Sequence, residues 1–89
     1  MQKVKFNQVV EDGLKRGKSF LVVKIETEGN PGSEVIVNPA ENFAAKVAYY
    51  DKAYNDDMEL IAAKNNGKSV RIVDVLMTSN LNDLNRFIY

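Results

Sequence analysis

Neither cysteine nor histidine occurs anywhere in the 89 residues, and this double absence constrains the chain more than any residue it contains. A domain of this size buries only roughly 60–70% of the surface its unfolded chain exposes, and small domains often add disulfides or a structural zinc to compensate. Both are excluded here, so the fold must rest on one apolar core and on the chemistry of its turns and caps. Apolar residues make up 45% of the chain and charged residues 27%, enough to build such a core and too apolar for intrinsic disorder. A single domain over residues 1–89 is expected.

No uninterrupted apolar run exceeds four residues, as at Phe20–Val23 and Leu60–Ala63, far short of the roughly 20 that span a bilayer. Residues 1–6 alternate Lys with apolar side chains and lack the apolar stretch of a signal peptide. A cytoplasmic protein is expected.

Turn and cap signals divide the chain into elements. Asn7 can cap a first helix with Val9, Val10 and Leu14 on one face, ended by Lys15, Arg16 and Gly17. Gly13 lies inside it and weakens it by up to about 1 kcal/mol. Residues 19–26 alternate as a strand, and residues 28–33 form a turn-rich loop. Residues 34–37 make a second strand that pairs with the first. Asn38-Pro39-Ala40-Glu41 carries a cap residue, a proline at the first helical position and a glutamate three residues after the cap. The helix it announces places Phe43, Val47, Tyr50 and Tyr54 on one stripe.

Residues 58–64 and 68–77 flank Asn66-Gly67, a pair suited to a two-residue type I′ hairpin. That register sets Leu60 opposite Val73 and Met58 opposite Val75 on a core face, with Ile61 opposite Ile72 and Ala63 opposite Val70 on the other. A three-residue loop with Gly67 in a bulge would shift the pairing by one. Thr78, Ser79 or Asn80 caps a last helix carrying Leu81, Leu84 and Ile88. The order is then α-β-β-α-β-β-α, an α+β fold with a four-stranded, mainly antiparallel sheet and helices packed chiefly on one face.

Without His or Cys the Ser-His, Cys-His and Cys-Cys constellations are unavailable, and the five glycines match neither a Walker loop nor a dinucleotide fingerprint. No cofactor is expected. In the two-residue-turn register Glu59 faces Asp74, with Asp57 on the same face. These like charges invite a cation, a partner's Lys or Arg, or solvent, and a magnesium-dependent enzyme is the least favoured reading of them. Solvated acids on an exposed strand are the ordinary alternative.

Three other features bear on binding. Tyr49 projects away from the apolar stripe of its helix, as an interface anchor or a plain surface residue. The Ile61/Ile72 face is apolar on the side of the sheet that should be polar, which fits cover by the first or C-terminal helix or, failing that, a partner or dimer surface. Lys15, Arg16 and Lys18 could contact nucleic-acid phosphates, or simply complement the dipole at a helix C-terminus. Charge is also uneven along the neutral chain: residues 1–24 carry six basic side chains against two acidic, and residues 25–59 carry eight acidic against two basic. Such asymmetry can form an electrostatic binding surface.

The segment Asn38-Pro39-x-Glu41-Asn42-Phe43, then Tyr49-Tyr50 and Ala53-Tyr54-Asn55-Asp56-Asp57, resembles small uncharacterised proteins of phages and prophages of Gram-positive bacteria over residues 34–64. The resemblance implies an accessory protein acting by binding, an anti-defence inhibitor among the options, and carries no catalytic residues. The expected function is a non-catalytic protein-interaction module. It binds through Tyr49, Asp56, Asp57, Glu59 and Asp74 or self-associates through Ile61 and Ile72, with nucleic-acid binding through Lys15, Arg16 and Lys18 as the alternative.

Overall fold

A computed structural model describes residues 1–62 and 67–88. Helix α1 (Lys3–Lys15) leads into strand β1 (Phe20–Thr27), which turns back as β2 (Ser33–Pro39). A 3-10 turn at Ala40–Asn42 opens helix α2 (Phe43–Ala53). Strand β3 (Val70–Thr78) follows, and a second 3-10 turn at Leu81–Asp83 precedes the short helix α3 (Leu84–Ile88). The described residues form a three-stranded antiparallel sheet in the order β2-β1-β3.

The central strand alternates as its sequence requires. Leu21, Val23 and Ile25 face a core that also holds Phe6 and Val10 of α1 and Tyr50 of α2, with Tyr54, Met58, Ile72, Val75 and Met77. Helices α1 and α2 therefore share one face of the sheet, and the Phe6 and Tyr50 rings meet edge to face at 5.7 Å. On the opposite face, Lys24 of β1 donates its ammonium hydrogen to the Phe87 carbonyl of α3 at 3.3 Å. The expected α+β class with an antiparallel sheet is observed. So is the cap before α3: the Asn80 side chain accepts from Asn82 N–H, and the Thr78 hydroxyl donates to Asp83 at 2.6 Å.

The expected fourth strand is absent from residues 58–62. Asn55 takes this segment instead, its side-chain oxygen accepting the backbone N–H of Asp57 at 2.9 Å and of Glu59 at 3.0 Å. Such side-chain acceptors compete with strand pairing for backbone donors. The loop closes with an isolated bridge between Tyr54 and Leu60, and Met58 takes a left-handed backbone at φ 57°. That conformation costs about 1–3 kcal/mol for a non-glycine residue. Burying the Met58 side chain, fully enclosed in the core, returns about 1.5–3 kcal/mol. Contact with β3 is limited to Met58, Glu59 and Leu60, and Ile61 and Ala62 are already helical.

The register also differs from the hairpin expectation. Glu59 lies opposite Arg71, with Leu60 N–H donating to Val70 and Ile72 N–H donating to Met58. Glu59 does not face Asp74, nor Leu60 face Val73. The expected turn residue Asn66 and the Ala63–Val70 pair involve positions outside the described residues. A second irregularity lies within β3: Lys24 pairs with Asp74 but Ile25 pairs with Ile72, so Val73 is an extra residue, a β-bulge. The bulge shifts the inward parity by one, which lets Ile72 join Val75 and Met77 in the core rather than face away from them.

Two helix starts are corrected. Helix α1 begins at Lys3, with Gln2 rather than Asn7 at its cap, and its buried stripe is Phe6, Val10 and Gly13, with Leu14 outside it. Asn38 is not a helix cap but a buried strand residue. Its amide donates to the Leu21 carbonyl at 3.2 Å and to the Tyr50 hydroxyl at 3.4 Å. Gly17 ends α1 as expected, at φ 67°.

Gly13 is where α1 meets the sheet. A Cβ built there would overlap the Cβ and Cγ of Met77, atoms too close to the strand backbone to swing aside. Gly13→Ala should therefore lower stability by about 1–3 kcal/mol in urea unfolding, because overpacking outweighs the roughly 1 kcal/mol gained in helix propensity. Gly32→Ala, in open space, is the control and should leave the midpoint nearly unchanged.

Candidate functional site

The residues expected to bind do not come together on one surface, and Ile72 among them is buried. Tyr49 is 47% exposed, yet its ring leans edge-on against Tyr50 at 5.5 Å and Tyr54 at 6.2 Å. The Lys46 ammonium sits 5.7 Å from its centre. Tyr49 thus closes one side of the aromatic core while presenting its other side to solvent.

Asp56 and Asp57 lie in the loop after α2, against the N-terminus of α1. The Asp56 carbonyl accepts the Lys3 N–H at 2.8 Å, and the Asp57 carboxylate accepts the Gln2 amide at 2.8 Å. Lys3 donates its ammonium to the carbonyls of Asp51 and Tyr54 at 2.7 and 2.6 Å, with the Asp51 carboxylate at 3.8 Å. Part of the acidic middle of the chain therefore has a structural task. It supplies acceptors and negative charge where a helix exposes unpaired N–H groups and a positive dipole end.

The acidic trio is not assembled. Glu59 is paired across from Arg71 and accepts from the Asn55 amide, whereas Asp74 sits beside Lys24 on β3. Among the described residues no group of three or more Asp or Glu is placed to hold a metal ion. The apolar pair is likewise divided: Ile61 is 49% exposed while Ile72 is fully buried, so Ile72 offers nothing to a second copy. Of the basic cluster, Arg16 is engaged by Asp12 one turn earlier at 3.1 Å, and Lys15 and Lys18 flank it at the end of α1.

A feature not read from the sequence is a groove of about 720 Å³ on the outer side of the two large helices. Leu14 of α1, 46% exposed, forms one wall. Phe43 and Val47 of α2 form its floor beside Ala44 and Ala48, and Glu11 and Asp51 stand on its rim. The groove exists because α1 is rotated. With Phe6, Val10 and Gly13 against the sheet, Leu14 is carried round to face α2 instead of the core. The signal was present as Gly13 at i+3 from Val10 and i+7 from Phe6, the spacing of a buried stripe with a close-approach position in it.

A second, polar hollow of about 510 Å³ lies under the β1–β2 turn. Its charges are already engaged within the chain: Arg71 pairs with Glu26 at 3.2 Å, and the Glu28 carboxylate accepts Ser69 N–H at 2.9 Å.

The chain matches no protein-family profile, no curated protein and no solved structure. No described helix is long and apolar enough to cross a membrane.

Among the described residues, Tyr50 and Tyr54 carry the shifted ionisations. Burial pushes the Tyr54 hydroxyl up to about 12, and the neighbouring Tyr49 and Tyr50 add to the shift. Burial also raises Tyr50, with the Asn38 hydrogen bond acting in the opposite direction. In the unfolded chain tyrosine ionises at its ordinary value of 10.0, whereas folded Tyr54 keeps its proton to about 12. The stability linked to this residue is therefore complete below pH 10 and is lost as pH rises from about 10 to about 12. The urea midpoint should fall across that window, and Tyr54→Phe, with no hydroxyl to ionise, should fall less steeply.

Proposed function

We propose that this protein is a non-catalytic protein-interaction module of the cytoplasm, and that its binding surface is the outer face of the α1–α2 pair. The observation that carries the reading is the open groove with a half-exposed Leu14 beside Phe43 and Val47. A leucine left half in water on a helix whose other face is well packed gains by burial against a partner, at about 25 cal/mol per Å² of apolar surface covered. Tyr49 flanks the same helix and extends the surface available to a large partner. Asp56 and Asp57 lie beyond the end of the groove marked by Asp51, which keeps the acidic middle of the chain within reach of a bound protein.

The resemblance of residues 34–64 to phage and prophage proteins gives such a module a specific setting, an accessory protein that binds a host or defence protein and inhibits it. Nucleic-acid binding has less support, because the Arg16 guanidinium is already committed to Asp12.

The test is quantitative co-purification of the tagged protein from its native host, comparing wild type, Ala44→Arg and a Lys15→Glu/Arg16→Glu/Lys18→Glu triple variant. Ala44 is exposed on α2 and arginine is a good helix former, so Ala44→Arg fills the groove without unfolding the helix. One stoichiometric protein should co-elute with wild type and with the triple variant, and its recovery should drop at least about tenfold, some 1.4 kcal/mol, with Ala44→Arg. Recovery of nucleic acid that the triple variant alone abolishes would overturn the reading.

A further inference from the structure

The groove has a chemical bias that narrows its occupant. Its charged lining consists of Glu11 on α1 and Asp51 on α2, and no basic side chain lines it. Asp56 and Asp57 continue the negative charge past the Asp51 end, where the Lys3 ammonium, held by main-chain carbonyls and 3.8 Å from the Asp51 carboxylate, offsets part of it and leaves Glu11 as the acid with the stronger pull. Between these acids the floor is apolar. A partner that buries apolar side chains here brings its flanks against carboxylates, and Lys or Arg flanks are attracted where Asp or Glu flanks are repelled.

The walls also restrict the backbone of the occupant. Helices α1 and α2 run antiparallel, Lys3 meeting Tyr54 and Phe6 meeting Tyr50. Away from their ends, each satisfies its backbone N–H and C=O groups within itself, so the groove presents no row of free donors and acceptors to an extended chain. A segment that loses water in this groove must satisfy its own backbone, which an α-helix does and a strand does not. The 11 residues of α2 span about 16 Å at 1.5 Å per residue, so a guest helix of about three turns fills the length.

We propose that the α1–α2 groove binds a basic amphipathic helix of a partner protein, with apolar side chains at i, i+3 or i+4, and i+7 seated on Phe43 and Val47, and Lys or Arg beside Glu11 and Asp51. The proposal rests on the reading of this face as the binding surface and adds the occupant. A second copy of the chain fits less well, because a two-fold contact on this face would bring two sets of these carboxylates together.

The experiment uses the full chain, labelled for NMR, and three synthetic peptides of about 14 residues. The first places Leu at helical spacing with Lys elsewhere, the second replaces each Lys with Glu, and the third carries the Leu and Lys in strict alternation. The first peptide should bind with a micromolar Kd and shift the resonances of Leu14, Ala44, Val47 and Ala48. Glu11→Lys should weaken it at least about tenfold, and Ala44→Arg should abolish it with the melting temperature unchanged. Raising salt from about 50 to about 500 mM should weaken binding several-fold, since rim charges are screened.

Equal binding of the Glu peptide, preference for the alternating peptide, shifts centred on another surface, or no binding of the Lys peptide would each overturn the proposal. A concentration-dependent dimer abolished by Ala44→Arg would overturn it in favour of a second copy. If co-purification shows a partner lost with Ala44→Arg while the Lys peptide fails, the surface stands and the basic helix falls. If Ala44→Arg leaves the partner bound, the surface itself is misassigned.

Discussion

Helix α1 lies against strand β3 with no side chain between them at Gly13, and the rest of the arrangement depends on that contact. The absent Cβ lets the helix settle directly over Met77, which fixes the rotation of α1 about its axis. Phe6 and Val10 then point into the core, and Leu14 is turned toward α2. A helix rotated by one residue would bury Leu14 and leave no groove. The glycine that weakens the isolated helix is thus the residue that permits its tertiary position, a case of packing overriding local propensity.

The other side of the core is set by two departures from regular strand geometry. The extra residue at Val73 changes which β3 side chains face inward, so that Ile72, Val75 and Met77 all line the core. The Asn55-centred loop delivers Met58 to the same core from a left-handed backbone position. Together they allow a three-stranded sheet to supply a core that four strands were expected to supply. The same loop brings Asp56 and Asp57 to the N-terminus of α1, which ties the acidic middle of the chain to the helix that forms one wall of the groove.

The legible parts of the fold were those governed by local chemistry. The alternation of residues 20–26, the Phe43-Val47-Tyr50-Tyr54 stripe, Gly17 at the end of α1 and the Asn80 cap each follow from backbone or side-chain rules that act within a few residues. Asn38-Pro39-Ala40-Glu41 has the pattern of a capping box, yet Asn38 spends its amide on Leu21 and Tyr50. A polar residue beside a proline fits a cap and a buried strand end equally well until its neighbours in space are known. Helical spacing puts Tyr49 on an outward flank of α2, where it is half exposed, whereas strand alternation puts Ile61 and Ile72 on one shared face that the bulge and the Asn55 loop divide.

The sequence alone determined a small α+β domain held without disulfide or zinc, because the absence of Cys and His removes those supports and apolar periodicity sets the element types. Tertiary structure alone decided strand number, register and the rotation of α1. Those depend on contacts between residues far apart in the chain, Gly13 with Met77, Phe6 with Tyr50, and Ile25 with Ile72. The groove is a consequence of that rotation. Its walls come from two helices whose faces become neighbours only after each has met the sheet, so the Phe6-Val10-Gly13 spacing within α1 marks the buried stripe but not the groove that forms beside it.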